Sequence, residues 1–393
     1  MVITKKVLRN VSLSAHPQGC RRSVEEQIAW VRNTKDAKYK KPTTLMPKRV
    51  LVVGGSTGYG LSSRIVAAFG GGADTINVSF EREPSEKKTA TPGWYNTRVF
   101  EEHAHNAGLK ALSVFGDAFS TEIKEATANL IKEELGQVDL IVYSLASPLR
   151  IDPTSGVTYR SVLRPIGEPF TALSVNLDDP TITKETIEPA SGEQVAETVK
   201  VMGGEDWKLW IEYLKNKDLL SNGATTVAYS YIGPELTYPV YREGTIGKAK
   251  EDLEHTARVL SSTLNAYVSV NKALVTRASA VIPVVPLYMA LLYDVMSKRG
   301  VHEQCTEQIW RLFTDRLYTG KEVPTDREGR IRIDDWEMDP EIQAEVTRRW
   351  NLQEEGKSLV LGNLSLVQEE YDHIHGFGYD GIDYEADIDP REV

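Results

Sequence analysis

Apolar and polar positions along this chain fall into blocks of two periods, and the blocks predict strands and helices taking turns. Val50-Leu51-Val52-Val53 is a continuous apolar run that stops at glycines, the pattern of a strand buried on both faces of a parallel sheet. Further strand-like runs follow at Thr75–Phe80, Lys110–Phe115 and Val138–Ser144. Between them, apolar residues recur at helical spacing near Leu61–Phe69, Arg98–Ala107 and Glu122–Leu135. Strands alternating with helices at this interval predict an α/β protein with a Rossmann-like, doubly wound parallel sheet.

On the N-terminal side, Val2 to Leu8 reads as a short strand and Val24 to Val31 as a helix, with Pro42 and Pro47 marking a connection. Residues 146–222 interrupt the alternation. Pro148, Pro153, Pro165, Pro169, Pro180 and Pro189 predict mostly loop, followed by one helical stretch from about Gln194 to Leu214 that carries Trp207 and Trp210. The alternation resumes with a strand at Ala224–Ile232, a helix at Ile246–Leu264 and a strand at Tyr267–Val270. A helix follows at Pro286–Met296, another near Glu303–Leu317, and an Ile-Arg-Ile strand at 331–333, before an acidic tail rich in Tyr, Gly and Asp. The expected organisation is an N-terminal strand and helix (1–47) packed on a core (48–300) with an insertion at about 146–222, then a helical and acidic extension (301–393).

Composition narrows the class. A chain of 393 residues, 41% hydrophobic and 26% charged, has the make-up of a soluble globular enzyme. A net charge of −10 argues against nucleic acid as a partner. No apolar stretch is long enough for a membrane span and none reads as a signal peptide, so a cytoplasmic protein is expected. Cys20 and Cys305 suit a reducing compartment, and neither sits in a nucleophile motif. No metal site is expected.

Candidate chemistry begins at Gly54-Gly55-Ser56-Thr57-Gly58-Tyr59-Gly60, between the first buried strand and the first helix. Glycines there let the backbone turn tightly and approach a pyrophosphate at the positive end of the helix. The next strand ends at Phe80-Glu81. A carboxylate at that place accepts from ribose hydroxyls and repels a 2′-phosphate, which favours NADH, although the neighbouring Arg82 offers a guanidinium to such a phosphate. Asp117-Ala118 after the third strand and Leu145-Ala146 after the fourth complete a row of strand ends where the rest of a dinucleotide would lie.

Tyr241 has two lysines ahead of it, Lys248 with six residues between and Lys250 with eight. A tyrosine beside an ammonium can donate a hydrogen bond to an oxygen that becomes negative, and the ammonium favours a more acidic phenol. The following helix shows its core face at Ile246, Ala249, Leu253, Ala257 and Leu260. Lys250 falls about 60° from that stripe and Lys248 about 140° from it, on the solvent side. Lys250 is therefore the expected partner. Tyr241 must then precede the helix, with Gly244 and Gly247 loosening the join and Thr245 as the expected N-cap. Tyr231, at the end of the strand before it, either lines a substrate cleft or covers the core edge.

These residues resemble the trans-2-enoyl-CoA reductases and the related FabV-type enoyl-acyl-carrier-protein reductases over almost the whole chain. The carriers are Ala15–Cys20, Gly54–Gly60, Thr91-Pro-Gly-Trp-Tyr-Asn96, Gly116–Ser120, Tyr143–Pro148, Lys200–Trp207, Tyr229–Glu235, Arg330–Trp336, and the Tyr-x8-Lys signature at Tyr241 and Lys250. The resemblance implies that Tyr241 is the proton donor, that Lys250 binds the cofactor and that Tyr231 contacts substrate. It places NADH on Gly54, Gly55, Ser56, Thr57, Gly58 and Tyr59, on Phe80, Glu81, Asp117, Ala118, Leu145 and Ala146, and on Leu274, Val275 and Thr276. Gly55 departs from the Ala or Cys familiar there. The implied reaction is reduction of enoyl-CoA to acyl-CoA, with enoyl-acyl-carrier protein as the alternative substrate, by a monomer. Reduction of a carbonyl, with Lys248 as the partner, and dinucleotide sensing without turnover are the more distant readings.

Overall fold

The computed structural model describes residues 1–8, 11–276 and 284–393. The chain opens with a short antiparallel pair, β1 (Val7–Leu8) and β2 (Val11–Ser12), where the pattern predicts one strand over Val2–Leu8. The chain doubles back instead, with the Lys6 N–H donating to Ser14 Oγ and the Leu13 N–H to the Lys6 carbonyl. Helix α1 (Pro17–Asn33) starts ahead of its apolar stripe because Pro17 suits a first helical position and His16 Nδ1 accepts from the Gly19 N–H.

The alternating block then follows the predicted order. It comprises β3 (Arg49–Val53), α2 (Gly58–Ile65) with a π-helical turn at Val66–Gly70, β4 (Asp74–Ser79), α3 (Pro92–Asn106), β5 (Ala111–Phe115), α4 (Thr121–Glu134) and β6 (Val138–Tyr143).

The insertion departs from the prediction of loop. It folds as two antiparallel hairpins, β7 (Leu149–Ile151) with β8 (Thr158–Arg160) and β9 (Phe170–Asn176) with β10 (Asp179–Ile187). Five of its prolines lie between strands, and Pro180 falls where the β9–β10 register slips, so proline punctuates these strands and does not abolish them. The single helix expected over Gln194–Leu214 is two, α5 (Gly192–Met202) and α6 (Glu205–Asn216). Gly203 and Gly204 break it. A Cβ on Gly204 would lie 2.1 Å from Thr256 Oγ1, so the bend brings backbone against the neighbouring helix closer than any side chain permits.

After β11 (Leu220–Ser230) come α7 (Thr245–Leu260), β12 (Asn265–Val270), α8 (Val285–Lys298), and α9 (Cys305–Arg311) with a π-helical turn at Leu312–Leu317. The last strand is β13 (Ile331–Arg332). Two helices in the acidic stretch, α10 (Pro340–Trp350) and α11 (Leu364–Ile374), were not foreseen; Asp339 and Asn363 side chains cap them.

Seven strands form one parallel sheet in the order β13-β12-β11-β6-β3-β4-β5. The order reverses between β3 and β6, and a crevice at their carboxyl ends is the usual ligand position in such sheets. Alternation along β3 explains the unbroken apolar run. Val50 and Val52 pack with α1, α2, α3 and α9 on one face, while Leu51 and Val53 pack with α4, α6 and α7 on the other. A third apolar cluster joins the β9–β10 hairpin to α8, α10 and α11, and Tyr231 and Tyr241 border it.

Trp207 is fully buried on the α6 side, its indole N–H donating to Thr226 Oγ1 at 2.8 Å. Trp207→Ala is expected to lower unfolding free energy by about 3–5 kcal/mol in a denaturant titration, as for other large core truncations. A loss below about 1 kcal/mol would contradict this packing.

Candidate active site

The glycine loop sits at the carboxyl end of β3, as its sequence position requires. Gly54 has φ +92°, and a Cβ there would lie 2.1 Å from the Ser144 carbonyl, so glycine is needed both for the turn and for contact with the end of β6. Thr57 is the N-cap of α2 but forms no side-chain cap bond, which leaves first-turn N–H groups available to an anion.

At the end of β4 the two oxygens of Glu81 differ. Oε1 accepts from the Ser56 hydroxyl at 2.6 Å, and Oε2 is buried without a hydrogen-bond partner. Gly93, at the start of α3, makes room for this pair, since a Cβ there would lie 2.1 Å from Glu81 Oε1. Phe80 is 81% exposed, a large apolar ring facing outward beside the crevice. Asp117 accepts from the Phe119 N–H at 3.0 Å, and the Ala118 carbonyl accepts from Lys124 and Trp210. Lys124 is itself paired to Asp206 in a nearly dry site, so the backbone at the end of β5 is held from behind.

An uncapped helix terminus, a buried carboxylate oxygen with no partner and an exposed aromatic ring together fit a dinucleotide with free ribose hydroxyls. A cavity of about 490 Å³ is lined by Thr57, Gly58, Asn96, Leu274, Val275 and Thr276, with residues of α1, α9 and α11. It brings the glycine loop and the Leu274–Thr276 stretch to one space. Glu81, Asp117, Ala118, Leu145 and Ala146 lie at neighbouring strand ends and do not line it, nor do Tyr231, Tyr241 and Lys250. The Tyr59 side chain packs inward: its hydroxyl donates to the Lys272 carbonyl at 3.0 Å and its ring packs on Tyr229.

Tyr241 lies in the turn before α7, off the helix. Gly244 is the N-cap, not Thr245, whose hydroxyl instead donates to the Val162 carbonyl and accepts from the Arg164 N–H. That pair of bonds ties the insertion to the start of α7. The two lysines part as their helix faces require. Lys248 is exposed and paired with Glu251 at 2.9 Å. Lys250 turns inward, its ammonium donating to the Tyr229 carbonyl at 3.0 Å near the end of β11. Burial brings its pKa down to about 8, with Glu254 opposing.

The phenol behaves otherwise than the sequence suggests. Burial first and Glu337 second raise the Tyr241 pKa, and Lys250 contributes no resolved lowering because its ammonium is directed at Tyr229. Among the described residues no protein group accepts from the Tyr241 hydroxyl. Its ring meets Tyr231 edge-on, centroids 4.9 Å apart at 83°. The Tyr231 hydroxyl is committed to Glu337 Oε1 at 3.1 Å, which also accepts from Tyr288. Sequence reasoning missed Glu337, Tyr288 and the Ser56–Glu81 bond. Glu337 stands one residue past the Arg330–Trp336 motif, in a stretch that reads as solvated acid, and no periodicity marks it as buried.

Comparison with known proteins places this arrangement. The family model described as the trans-2-enoyl-CoA reductase catalytic region matches residues 88–318. The chain belongs to the trans-2-enoyl-CoA reductase family. The NAD(P)H binding domain of trans-2-enoyl-CoA reductase matches residues 2–86. An enoyl-[acyl-carrier-protein] reductase [NADH] from Flavobacterium johnsoniae is 53% identical over 98% of this chain and 97% of its own. One of the same description from Coxiella burnetii is 50% identical over 99% of this chain and 96% of its own. The crystal structure of Treponema denticola trans-2-enoyl-CoA reductase in complex with NAD superposes with a TM-score of 0.93 at 48% identity, covering 99% of this chain and 98% of that one.

A third model, the enoyl reductase FAD binding domain, matches residues 325–388. In that stretch α10 and α11 both begin under their own side-chain caps, Asp339 and Asn363, which take up first-turn N–H groups. Among the described residues no group of three or more His, Cys, Asp or Glu side chains is placed to hold a metal ion, and no helix is long and apolar enough to cross a membrane.

Lys250 should therefore be protonated below about pH 8 and neutral above it. Acylation of the free enzyme across pH, read at this residue by peptide mass spectrometry, should give a midpoint near 8. A midpoint near the ordinary lysine value of about 10.4 would contradict the buried geometry.

Proposed function

We propose that this protein reduces the trans-2 double bond of enoyl-CoA thioesters with NADH, yielding acyl-CoA in fatty acid metabolism. The observation that carries the reading is Tyr241, a phenol whose hydroxyl has no protein acceptor among the described residues, packed on Tyr231 at the end of β11, the strand end to which Lys250 also turns, in a fold whose strand ends fit a dinucleotide. Reduction of the same bond on acyl-carrier protein is the second reading, favoured by the description of the curated relatives. A monomer in the cytoplasm is part of the proposal; the monomer rests on the resemblance in sequence and the location on two cysteines that suit a reducing compartment.

When bound, NADH supplies hydride to the β-carbon of the substrate. The chain's own residues bind and orient both molecules. The α2 terminus with Thr57 and Gly58 receives the pyrophosphate, and Glu81 Oε2 receives an adenosine ribose hydroxyl, which also disfavours a 2′-phosphate. Asp117 and Ala118 border the adenine, Leu145 and Ala146 let the cofactor lie along the end of β6, and Leu274–Thr276 close the far side. Lys250 holds the nicotinamide ribose. The Tyr241 hydroxyl donates to the thioester oxygen, where negative charge grows as hydride adds to the β-carbon, and this interaction is stronger in the transition state than before it. A proton delivered to the α-carbon then completes the acyl thioester. Because burial keeps the phenol protonated, it acts as a hydrogen-bond donor over the whole working pH range. Tyr231 borders the acyl group through its ring, since its hydroxyl is engaged elsewhere.

Tyr241→Phe should keep NADH affinity within about threefold while kcat falls by about a hundredfold or more, the scale of losing one oxyanion donor. Unchanged turnover would exclude the role. Rates of NADH oxidation on crotonyl-CoA and crotonyl-acyl-carrier protein decide the carrier, and NADPH in parallel tests Glu81: the account expects NADH to be preferred and Glu81→Ala to narrow the gap. Activity on 3-oxoacyl thioesters in place of enoyl thioesters would overturn the proposed reaction.

A further inference from the structure

We infer that Glu337 is a positioning residue for Tyr241, fixing the Tyr231–Tyr241 ring contact and the Ala273–Thr276 stretch in one register. Its carboxylate is fully buried and gathers donors from three parts of the fold. Oε1 accepts from the Tyr231 hydroxyl at 3.1 Å, next to the end of β11, and from the Tyr288 hydroxyl of α8 at 2.6 Å. Oε2 accepts from the Ala273 N–H at 2.6 Å, just past β12, where the Leu274–Thr276 stretch begins. Gln343 of α10 completes the cluster, its amide donating to Tyr288 and to the Glu337 carbonyl.

The residue type is informative. A buried carboxylate without an ion-pair partner is costly, and the nearby ammonium of Lys272 donates to the Ala273 carbonyl at 3.0 Å and forms no ion pair with Glu337. A glutamine would reduce that cost, but an amide cannot accept on both sides, and here hydroxyls face one oxygen and a backbone N–H faces the other. Only an acceptor-only group satisfies all three donors. One of them is the Tyr231 hydroxyl, whose ring lies edge-on to Tyr241. Among the described residues the Tyr241 hydroxyl has no protein partner, so ring packing is what orients it. Glu337 therefore acts through Tyr231 on the donor, and through Ala273 on the proposed cofactor stretch.

This inference rests on the enoyl-thioester reading, so wild-type NADH oxidation on crotonyl-CoA and crotonyl-acyl-carrier protein is measured first. Glu337→Gln should lower kcat at least tenfold with the thioester KM changed less than threefold. Combined with Tyr231→Phe it should be no slower than the slower single variant, because both act through one contact. A kcat within twofold of wild type overturns the inference, as do single losses that multiply in the double variant. Should Glu337→Gln fail to fold, the same cycle with Glu337→Asp, which keeps the charge and shortens the reach, has the same two outcomes. A wild type inactive on every enoyl thioester overturns the functional reading and this inference with it. An active wild type beside an unimpaired Glu337 variant overturns this inference alone.

Discussion

The hydrogen bond from the Lys250 ammonium to the Tyr229 carbonyl fixes the geometry on which the site depends. It pins one face of α7 to the end of β11, in surroundings dry enough to bring the lysine pKa to about 8. With Lys250 turned inward, eight residues of helix could not return Tyr241 to the same side. The chain meets that constraint by starting α7 at Thr245, leaving Tyr241 in the preceding turn, where its ring reaches Tyr231 just past the same strand. Lysine and phenol thus both reach the end of β11, Lys250 from α7 and Tyr241 from the turn before it.

The same geometry separates two tasks that a shorter Tyr–Lys spacing would merge. Lys250 is directed at the Tyr229 carbonyl and gives no resolved lowering of the phenol; burial and the carboxylate of Glu337 raise the Tyr241 pKa. A neutral phenol is well suited to an oxygen that gains charge transiently. It donates a hydrogen bond as the charge appears and need not be ionised at any stage. The C-terminal segment therefore reaches the candidate site: it supplies the carboxylate around which Tyr231, Tyr288 and Ala273 are arranged.

The parallel sheet was legible because β3, β4 and β6 are buried on both faces, and burial of that kind leaves unbroken apolar runs. The glycine loop and Glu81 were legible because strand ends locate them. The choice of Lys250 over Lys248 followed from helix period alone. The insertion was not legible: exposed hairpins such as β9–β10 alternate weakly, and their prolines read as loop signals although they sit at strand margins. The break between α5 and α6 depended on how closely Gly204 approaches Thr256, a tertiary contact with no local trace. Glu337 was hidden for a similar reason. An acidic residue among acidic residues reads as solvated until the fold buries it among hydroxyls.

The most direct test of the account is a structure of the protein with NADH and a non-reducible enoyl-thioester analogue. The Tyr241 hydroxyl should lie about 2.6–3.2 Å from the thioester oxygen, with Lys250 at the nicotinamide ribose and Tyr231 still bonded to Glu337. A thioester oxygen directed to any other donor, with Tyr241 out of reach, would contradict the role assigned to Tyr241.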